Sequence, residues 1–559
     1  MTEKQPAQQP IWKTRYNHPT PWDQHYAPLT MPGMFFRSAG RRGDANLLDF
    51  MGRKYSYADM AAQIVRVARG LQDLGVEKGD RIGLFLPNVP HYVSAYYGAM
   101  AVGATVVNFS PLYTVEELSH QVEDSGTKIL FTLSATALFP TAYQVLEQSS
   151  LERLVVGSIT EALPAGKALL YSLFRRKESS SVPADERITA FSDLVGNDGN
   201  FKAPRIRADR DIALLQYTGG TTGTPKGAMC THQNLTANAR QINDIDPFID
   251  EVDRVMGVLP FFHVFANSAV LNRTVERGGE IVMLPRFDAQ QTLAAITRAK
   301  ITAMPGVPTM YQALLDHPDT DKTDFSSLKV CVSGGAPLSM ELKNRFEART
   351  GAKLVEGYGL TESCGVVSAN PYMALNKPGT IGQPVPGTIV KLVDKSDPAK
   401  PAPEGEPGEL IFSGPQVMQG YWNLPEEDKQ VFVGDFLRTG DVATIDEDGY
   451  IKIVDRLKDM IAVGGFKVFP SQVEEVLYKH EAVKEALVIG VPDAYRGESP
   501  KAFVALYPDM ALSGQQLMDW LNPQLGKHER VSEVVVRDVL PKTMIGKLDR
   551  KALRSEELD

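Results

Sequence analysis

Cysteine is scarce in this chain of 559 residues: Cys230, Cys331 and Cys364 have neither metal-ligand nor paired spacing. A disulfide framework is therefore not expected, and a reducing, cytoplasmic setting fits. Basic charge is also in deficit, with 59 Lys and Arg against 68 Asp and Glu and a net charge of -9. That argues against a protein that coats nucleic acid, while leaving room for a local basic site that holds phosphate. The start of the chain, MTEKQPAQQPIWKTRYNHPTPW, lacks the apolar core of a secretory signal and is expected to lie as an arm on the surface. From Ile82 to Val115 Asp, Glu, Lys and Arg are missing, yet Pro87, Asn88, Pro90, Gly98, Gly103, Asn108 and Pro111 punctuate the run. A buried strand, helix, strand unit is expected there rather than a membrane span. Repeats of solenoid period are absent as well.

What is present is material for large cores, with 43% hydrophobic residues. Ser56 opens a helix through Met60, Ile64, Val67 and Leu71 that stops at Gly75, and Thr114 with Glu117 caps another. Apolar strands at Ile82–Leu86, Thr105–Asn108 and Lys128–Thr132, then Val255–Leu259, Glu280–Leu284, Ala303–Val307, Val330–Ser333 and Lys353–Gly357, alternate with helical stretches. The pattern predicts an α/β fold with parallel sheets covered on both faces, whose ligands gather at the carboxyl ends of strands. Past the Pro-rich turn at 394–408, short strands predict a small β subdomain. After Asp455 a compact α+β unit of ~100 residues follows, the size of a small domain.

The segment LPAGKALLYSLFRRKESSSV, 163–182, departs from its surroundings. Its apolar cluster, flanked by Lys167, Arg175, Arg176 and Lys177, is compatible with skimming an anionic membrane. Its shortness favours a surface loop that tucks two leucines inward.

The densest chemistry lies in YTGGTTGTPKG, Tyr217 to Gly227, which holds four glycines, four threonines, a proline and a lysine. Glycines let backbone N–H groups converge, and the hydroxyls and Lys226 add donors and charge, so the loop suits phosphate. It departs from GxxxxGK[ST], because Pro225 precedes Lys226 and Gly227 follows it. Five further stretches stand beside it. LPFFHVFAN carries His263, which alone reads as a core histidine. SGGAPL allows close backbone approach to a flat ligand. GYGLTES groups Tyr358, suited to stacking a base, with Glu362, an oxygen ligand for Mg²⁺. TGD offers Asp441 to a ribose. DRLKD, followed by GGFKVFP, falls at the composition break, and PKTMIGKLDR puts Lys547 in a turn. Singly, Asp441, Arg456 and Lys547 read as ordinary surface charges.

In this order, from about Tyr55 to the end, the set resembles the adenylate-forming enzymes, the superfamily of acyl-CoA synthetases, peptide-synthetase adenylation domains and firefly luciferase. YTGGTTG together with VDRLKDMI is most similar to bacterial long-chain fatty acid CoA ligases. The resemblance implies a large N-terminal domain, 1–456, of parallel-sheet subdomains plus the β subdomain, and a mobile C-terminal domain, 457–559, with its hinge near Lys458. It implies ATP, Mg²⁺ and CoA: a carboxylate attacks the α-phosphate of ATP and releases pyrophosphate, and CoA then takes the acyl group.

Thr218, Gly219, Gly220, Thr221, Thr222, Gly223 and Lys226 would cradle phosphates, with Thr218 and Glu362 on the metal. Gly334, Gly335, Ala336 and Pro337, with Gly357, Tyr358, Gly359 and Thr361, would bracket adenine. Asp441 and Arg456 would take ribose or phosphate, and Lys547 would bridge carboxylate and α-phosphate. His263 would border the acyl site, and Gly464, Gly465 and Phe466 would line the CoA tunnel. Some long-chain members carry a tryptophan gate four residues after the histidine; here that position is Asn267. A medium-chain or aryl acid CoA ligase, a stand-alone enzyme loading a carrier protein, and a catalytically idle binding protein remain the alternatives. Peripheral membrane contact and a homodimer stay open.

Overall fold

The structure, a computed structural model, describes residues 11–218, 225–248, 252–464, 466–493, 495–543 and 547–558. Gly219, Gly220, Thr221, Thr222, Gly223 and Gly465 lie outside the described residues.

Four sheets carry the chain. A seven-stranded sheet runs Ile188–Ala190, Arg153–Gly157, Thr127–Leu133, Arg81–Leu84, Thr105–Asn108, Ile212–Tyr217, Gly227–Thr231, and all its pairs are parallel except the last. A nine-stranded sheet has a parallel centre, in which Lys353–Leu360, Val330–Ser333, Ala303–Gly306, Arg254–Gly257, Glu280–Met283 and Asn46–Phe50 are successive neighbours. Antiparallel strands close its edges. The charge-free run forms the helix Pro90–Ala101, buried at every position. The helix Tyr57–Asp73 begins with a reciprocal cap, Ser56 Oγ taking the Asp59 N–H while the Asp59 carboxylate takes that of Ser56, and turns Met60, Ile64, Val67 and Leu71 inward.

A five-stranded antiparallel sheet includes Gly408–Ser413, Phe436–Ile445 and Ile451–Arg456. The last sheet pairs Val483–Asp493 with Gly497–Leu506 and flanks them with Ile461–Val463 and Glu533–Val536. Residues 461–534 supply a hydrophobic core of their own, around Val473, Leu477, Val488, Val504 and Leu517. Among the described residues, no helix is long and apolar enough to cross a membrane.

Three expectations are corrected. The N-terminal arm, described from residue 11, is not merely laid on the surface: many of its residues are exposed, but Trp12 and Trp22 are buried and stack with centroids 6.1 Å apart. Their indole N–H groups donate to Gly449 O at 2.8 Å and Thr388 O at 2.9 Å, so the arm straps the β subdomain to the body. Cys230 and Cys364, 134 residues apart, are joined, with Cα atoms 6.1 Å from each other. Spacing hid this pair because the strand Gly227–Thr231 meets the turn Thr361–Ser363 only in the fold. Finally, 165–174 is a helix whose leucines point outward rather than in.

Trp12→Ala removes a buried indole and its hydrogen bond, and large aromatic-to-alanine changes in cores cost ~3 kcal/mol or more. The first urea-unfolding transition is expected to lose about that much unfolding free energy, with its midpoint moved to lower denaturant; an unchanged midpoint would show that the strap carries no stability.

Candidate active site

The strands Ile212–Tyr217 and Gly227–Thr231, which flank the glycine-rich segment, pair antiparallel, and the helix His232–Asp244 follows the second of them. The base of that segment is closed by the Thr218 N–H donating to Lys226 O at 2.9 Å. The β subdomain runs alongside: Met229 N–H donates to Gly420 O, and Trp422 N–H to Gly227 O. This brings Tyr421 and Glu427 to the loop. The Lys226 ammonium pairs with Glu427 and lies 5.5 Å from the centre of the Tyr421 ring. The Tyr421 hydroxyl in turn donates to Glu362 Oε1 at 2.6 Å. Neither Tyr421 nor Glu427 stood out in the sequence, since each is a single residue in a turn or short helix without diagnostic spacing.

The parallel neighbours Val330–Ser333 and Lys353–Leu360 deliver the next parts at their exits. Gly334 sits where a Cβ would come within 3.1 Å of the Phe265 ring, and Gly335 takes φ +82°, a left-handed conformation that favours glycine. Tyr358 donates its hydroxyl to Asp441, and Arg456 Nε reaches the other Asp441 oxygen at 3.1 Å. Asp441 and Arg456 face each other in register across the strands Phe436–Ile445 and Ile451–Arg456. Burial pushes the Asp441 carboxyl upward and Arg456 opposes it. The hydroxyls of Ser333 and Ser368, the latter opposite Tyr358 in the ladder, are buried without a hydrogen-bond partner among the described residues. Such orphans in a native fold point to water or a ligand.

From the C-terminal unit, Lys547 enters this cluster. Its turn is held by Thr543 N–H donating to Lys547 O at 2.7 Å. A Cβ on Gly335 would stand 2.4 Å from Lys547 Cε, so glycine leaves the channel through which this side chain passes. Burial and then the neighbouring Arg456 push Lys547 down to about 8, against the pull of Asp441. His263 is pushed down to about 3 by burial and by Lys547, so its imidazole is neutral at physiological pH. Its Nδ1 accepts the Phe265 N–H at 3.3 Å. Lys458 also faces the cluster, lowered by partial burial and Arg456, with Asp459, Asp441 and Glu362 opposing. Gly464 turns with φ +56° in open space before the strand Phe466–Val468. The unit is tied to the body where Asp455 Oδ2 accepts both the N–H and the Oγ–H of Ser471 at 2.9 Å.

Beside His263 the chain forms a π-helix, Asn267–Asn272, a local expansion that recurs at functional sites. Asn267 is fully buried and fixed from two sides: the Tyr96 hydroxyl donates to its Oδ1 at 2.9 Å, and its Nδ2 donates to the Tyr92 hydroxyl at 3.3 Å. Tyr92 continues to Asn108, and Asn108 to Gln216, on the strand that leads into the glycine loop. The gate position is thus a pinned amide in a polar ladder, which single-residue reasoning did not reveal.

The cluster presents the cations Lys226, Arg456, Lys458 and Lys547 together with the carboxylates of Glu362 and Asp441. That suits a polyanion with a polar hydroxyl-bearing body. Among the described residues, no group of three or more acidic, His or Cys side chains forms a resident metal centre. Thr218 and Glu362 carry oxygen donors of the type taken by Mg²⁺ that keeps waters and phosphate ligands and uses one or two protein donors.

Residues 35–422 match the family model described as AMP-binding enzyme, and 472–547 match that described as AMP-binding enzyme C-terminal domain. The chain is 40% identical over 556 residues to a long-chain-fatty-acid--CoA ligase of Bacillus subtilis strain 168, covering 98% of each. It is 35% identical over 504 residues to a feruloyl-CoA synthase of an Amycolatopsis species, covering 90% of this chain and 94% of the relative. The ATP-bound crystal structure of MatB from Rhodopseudomonas palustris superposes with a TM-score of 0.83 at 28% identity, covering 95% of this chain and 99% of that one.

Insertion of Lys547 lowers its pKa, so it releases a proton between about pH 8 and the ordinary lysine value. Insertion is therefore weakest below pH 8 and gains as pH rises through that window. Energy transfer between dyes on the body and on the C-terminal unit, without nucleotide, is expected to rise from neutral to alkaline pH and to lose this dependence in Lys547→Met. A signal that falls as pH rises would contradict the assignment.

Proposed function

The chain belongs to the AMP-binding enzyme family, and we propose that it is an ATP-dependent long-chain fatty acid CoA ligase, which forms acyl-AMP and pyrophosphate and then acyl-CoA and AMP. The observation that carries this reading is the seating of Lys547 over Gly335, beside Asp441 and Arg456. A phosphate-holding loop alone serves many reactions. A lysine brought to the same place by a separate unit serves one in which two anions, a carboxylate and an α-phosphate, must approach each other.

In this reading Thr218, Gly219, Gly220, Thr221, Thr222, Gly223 and Lys226 hold the β and γ phosphates that depart as pyrophosphate, and Glu427 gives up Lys226 to them. Thr218 and Glu362 hold Mg²⁺, which screens phosphate charge when bound, and the Tyr421 hydroxyl orients Glu362. Asp441, kept in place by Tyr358 and Arg456, takes the ribose hydroxyls. Gly334, Gly335, Ala336 and Pro337 with Gly357, Tyr358, Gly359 and Thr361 enclose adenine. His263, neutral, borders the carboxylate without adding a charge. Lys547 needs its proton for adenylation, and the anions it meets restore the pKa that burial depresses. The division between units falls at 456/457, Lys458 is the hinge, and Gly464, Gly465 and Phe466 line the CoA path once the smaller unit turns.

Two substitutions separate the halves. Lys547→Ala should lower acid-dependent ATP/pyrophosphate exchange by at least ~100-fold, the scale of losing a charged transition-state donor, yet leave CoA capture of supplied acyl-AMP largely intact. Equal loss of both halves would refute the role. Lys458→Pro should preserve exchange and block thioester formation, and full overall turnover in that variant would remove the hinge from Lys458. Thioester formation with CoA alone, in the absence of any carrier protein, separates this reading from that of a carrier-loading enzyme.

A further inference from the structure

The Lys226 ammonium has two partners, the Glu427 carboxylate and the face of the Tyr421 ring, and one short segment supplies both. The first part of that segment is fixed through its backbone. Met418 N–H donates to Glu362 O at 2.9 Å, Met229 N–H to Gly420 O at 2.9 Å and Trp422 N–H to Gly227 O at 2.8 Å, so Tyr421 has little freedom. Glu427 lies beyond, on the helix Pro425–Val431, which has no buried residue. Asp428 ties this helix back, its Oδ1 accepting the Tyr421 N–H at 2.7 Å. Glu427 can therefore leave Lys226 by a change of its own rotamers, with no buried packing lost.

Through Tyr421, three carboxylates gather around this one ammonium: Glu427 on it, Glu362 on the ring hydroxyl and Asp428 on the backbone N–H. A phosphate drawn to Lys226 meets Glu427 as a rival, because carboxylate and phosphate oxygens accept the same ammonium hydrogens. The Lys226 and Glu427 side chains are 28% and 33% exposed. A partly solvated pair of this kind is weak, and a ligand of higher charge displaces it.

We propose that Glu427 is a built-in competitor for the phosphates of the nucleotide: it and phosphate are alternative partners of Lys226, so this carboxylate sets how tightly pyrophosphate is held and reclaims the lysine as pyrophosphate leaves. The inference rests on the phosphate role given to Lys226 under the proposed function and deepens it. Glu427 acts through Lys226 and is thus a positioning residue. Tyr421 lets the lysine change anions without leaving the site, since its ring lies 5.5 Å from the ammonium while its hydroxyl stays on Glu362 at 2.6 Å. A passive prop has the opposite signature: if Glu427 only held Lys226 in place for phosphate, removing its charge would weaken phosphate binding.

The test is calorimetric titration of the full chain with magnesium pyrophosphate, without acid or CoA. Glu427→Gln keeps the shape of the side chain and removes its charge, and should tighten binding ~two- to fivefold, the range of a partly exposed ion pair. In turnover with fatty acid, ATP and CoA, the KM for ATP should fall and inhibition by added pyrophosphate should strengthen by a similar factor, while kcat does not rise. Glu426→Gln removes a neighbouring charge on the same helix, where Glu426 pairs with Lys429 at 2.6 Å and is 77% exposed, and should leave the affinity as it is. In a Lys226→Met background Glu427→Gln should have no further effect. Unchanged or weaker binding in Glu427→Gln, an equal gain in Glu426→Gln, or a gain that persists without Lys226 would overturn the proposal. Failure of the underlying reading looks different: the wild type itself would bind no magnesium pyrophosphate. Wild-type binding that Glu427→Gln leaves unaltered would remove the competitor and spare the phosphate role of Lys226.

Discussion

The burial of one amine beside one guanidinium organises this molecule. Lys547 reaches the site across a glycine that leaves it room, and its burial there, with Arg456 nearby, lowers its pKa to about 8. Without a compensating anion this is an unfavourable arrangement, which Asp441 only partly relieves. A polyanion placed beside Lys547 would offset the burial of this lysine. Lys226 is ion-paired with Glu427, and Lys458 is held below its ordinary value by partial burial and then by Arg456.

The sheets explain how such distant residues meet. Parallel strands share one direction, so the exits of Val330–Ser333 and Lys353–Leu360 open side by side. The β subdomain then adds Asp441, Tyr421 and Arg456 from another direction, and the strap of Trp12 and Trp22 holds that subdomain to the body. The pair Cys230–Cys364 fastens the strand leaving the glycine loop to the turn that carries Glu362. Two parts of the candidate site thus share a direct link. The unit built on the fourth sheet has a hydrophobic core of its own and carries Lys547 to the site.

Much of this was legible in the sequence where the signal is local. Strands of the two large sheets follow from apolar runs bounded by glycine or proline, and the caps at Ser56 and Thr114 from a spacing of three residues. Thr218, Glu362, Asp441 and Lys547 stood out because each lies in a short motif and the motifs follow one order. What escaped depends on contacts between distant segments. Tyr421 and Glu427 acquire meaning only when the strand Gly227–Thr231 lies beside them, the Tyr92–Asn267–Tyr96 ladder only when two helices face each other, and Cys230 only next to Cys364. The helix Ala165–Phe174 was misjudged for a related reason: leucines ordinarily turn inward, and the sequence contains no sign that the available core was already filled.

The reaction proposed for this site passes a fatty acid carboxylate onto the α-phosphate of ATP. Heavy-oxygen-labelled long-chain fatty acid, turned over with ATP and CoA and followed by mass spectrometry of the nucleotide, tests it most directly. One labelled oxygen should pass from the carboxylate into AMP, with none in pyrophosphate. Unlabelled AMP, or label in pyrophosphate or inorganic phosphate, would contradict the account.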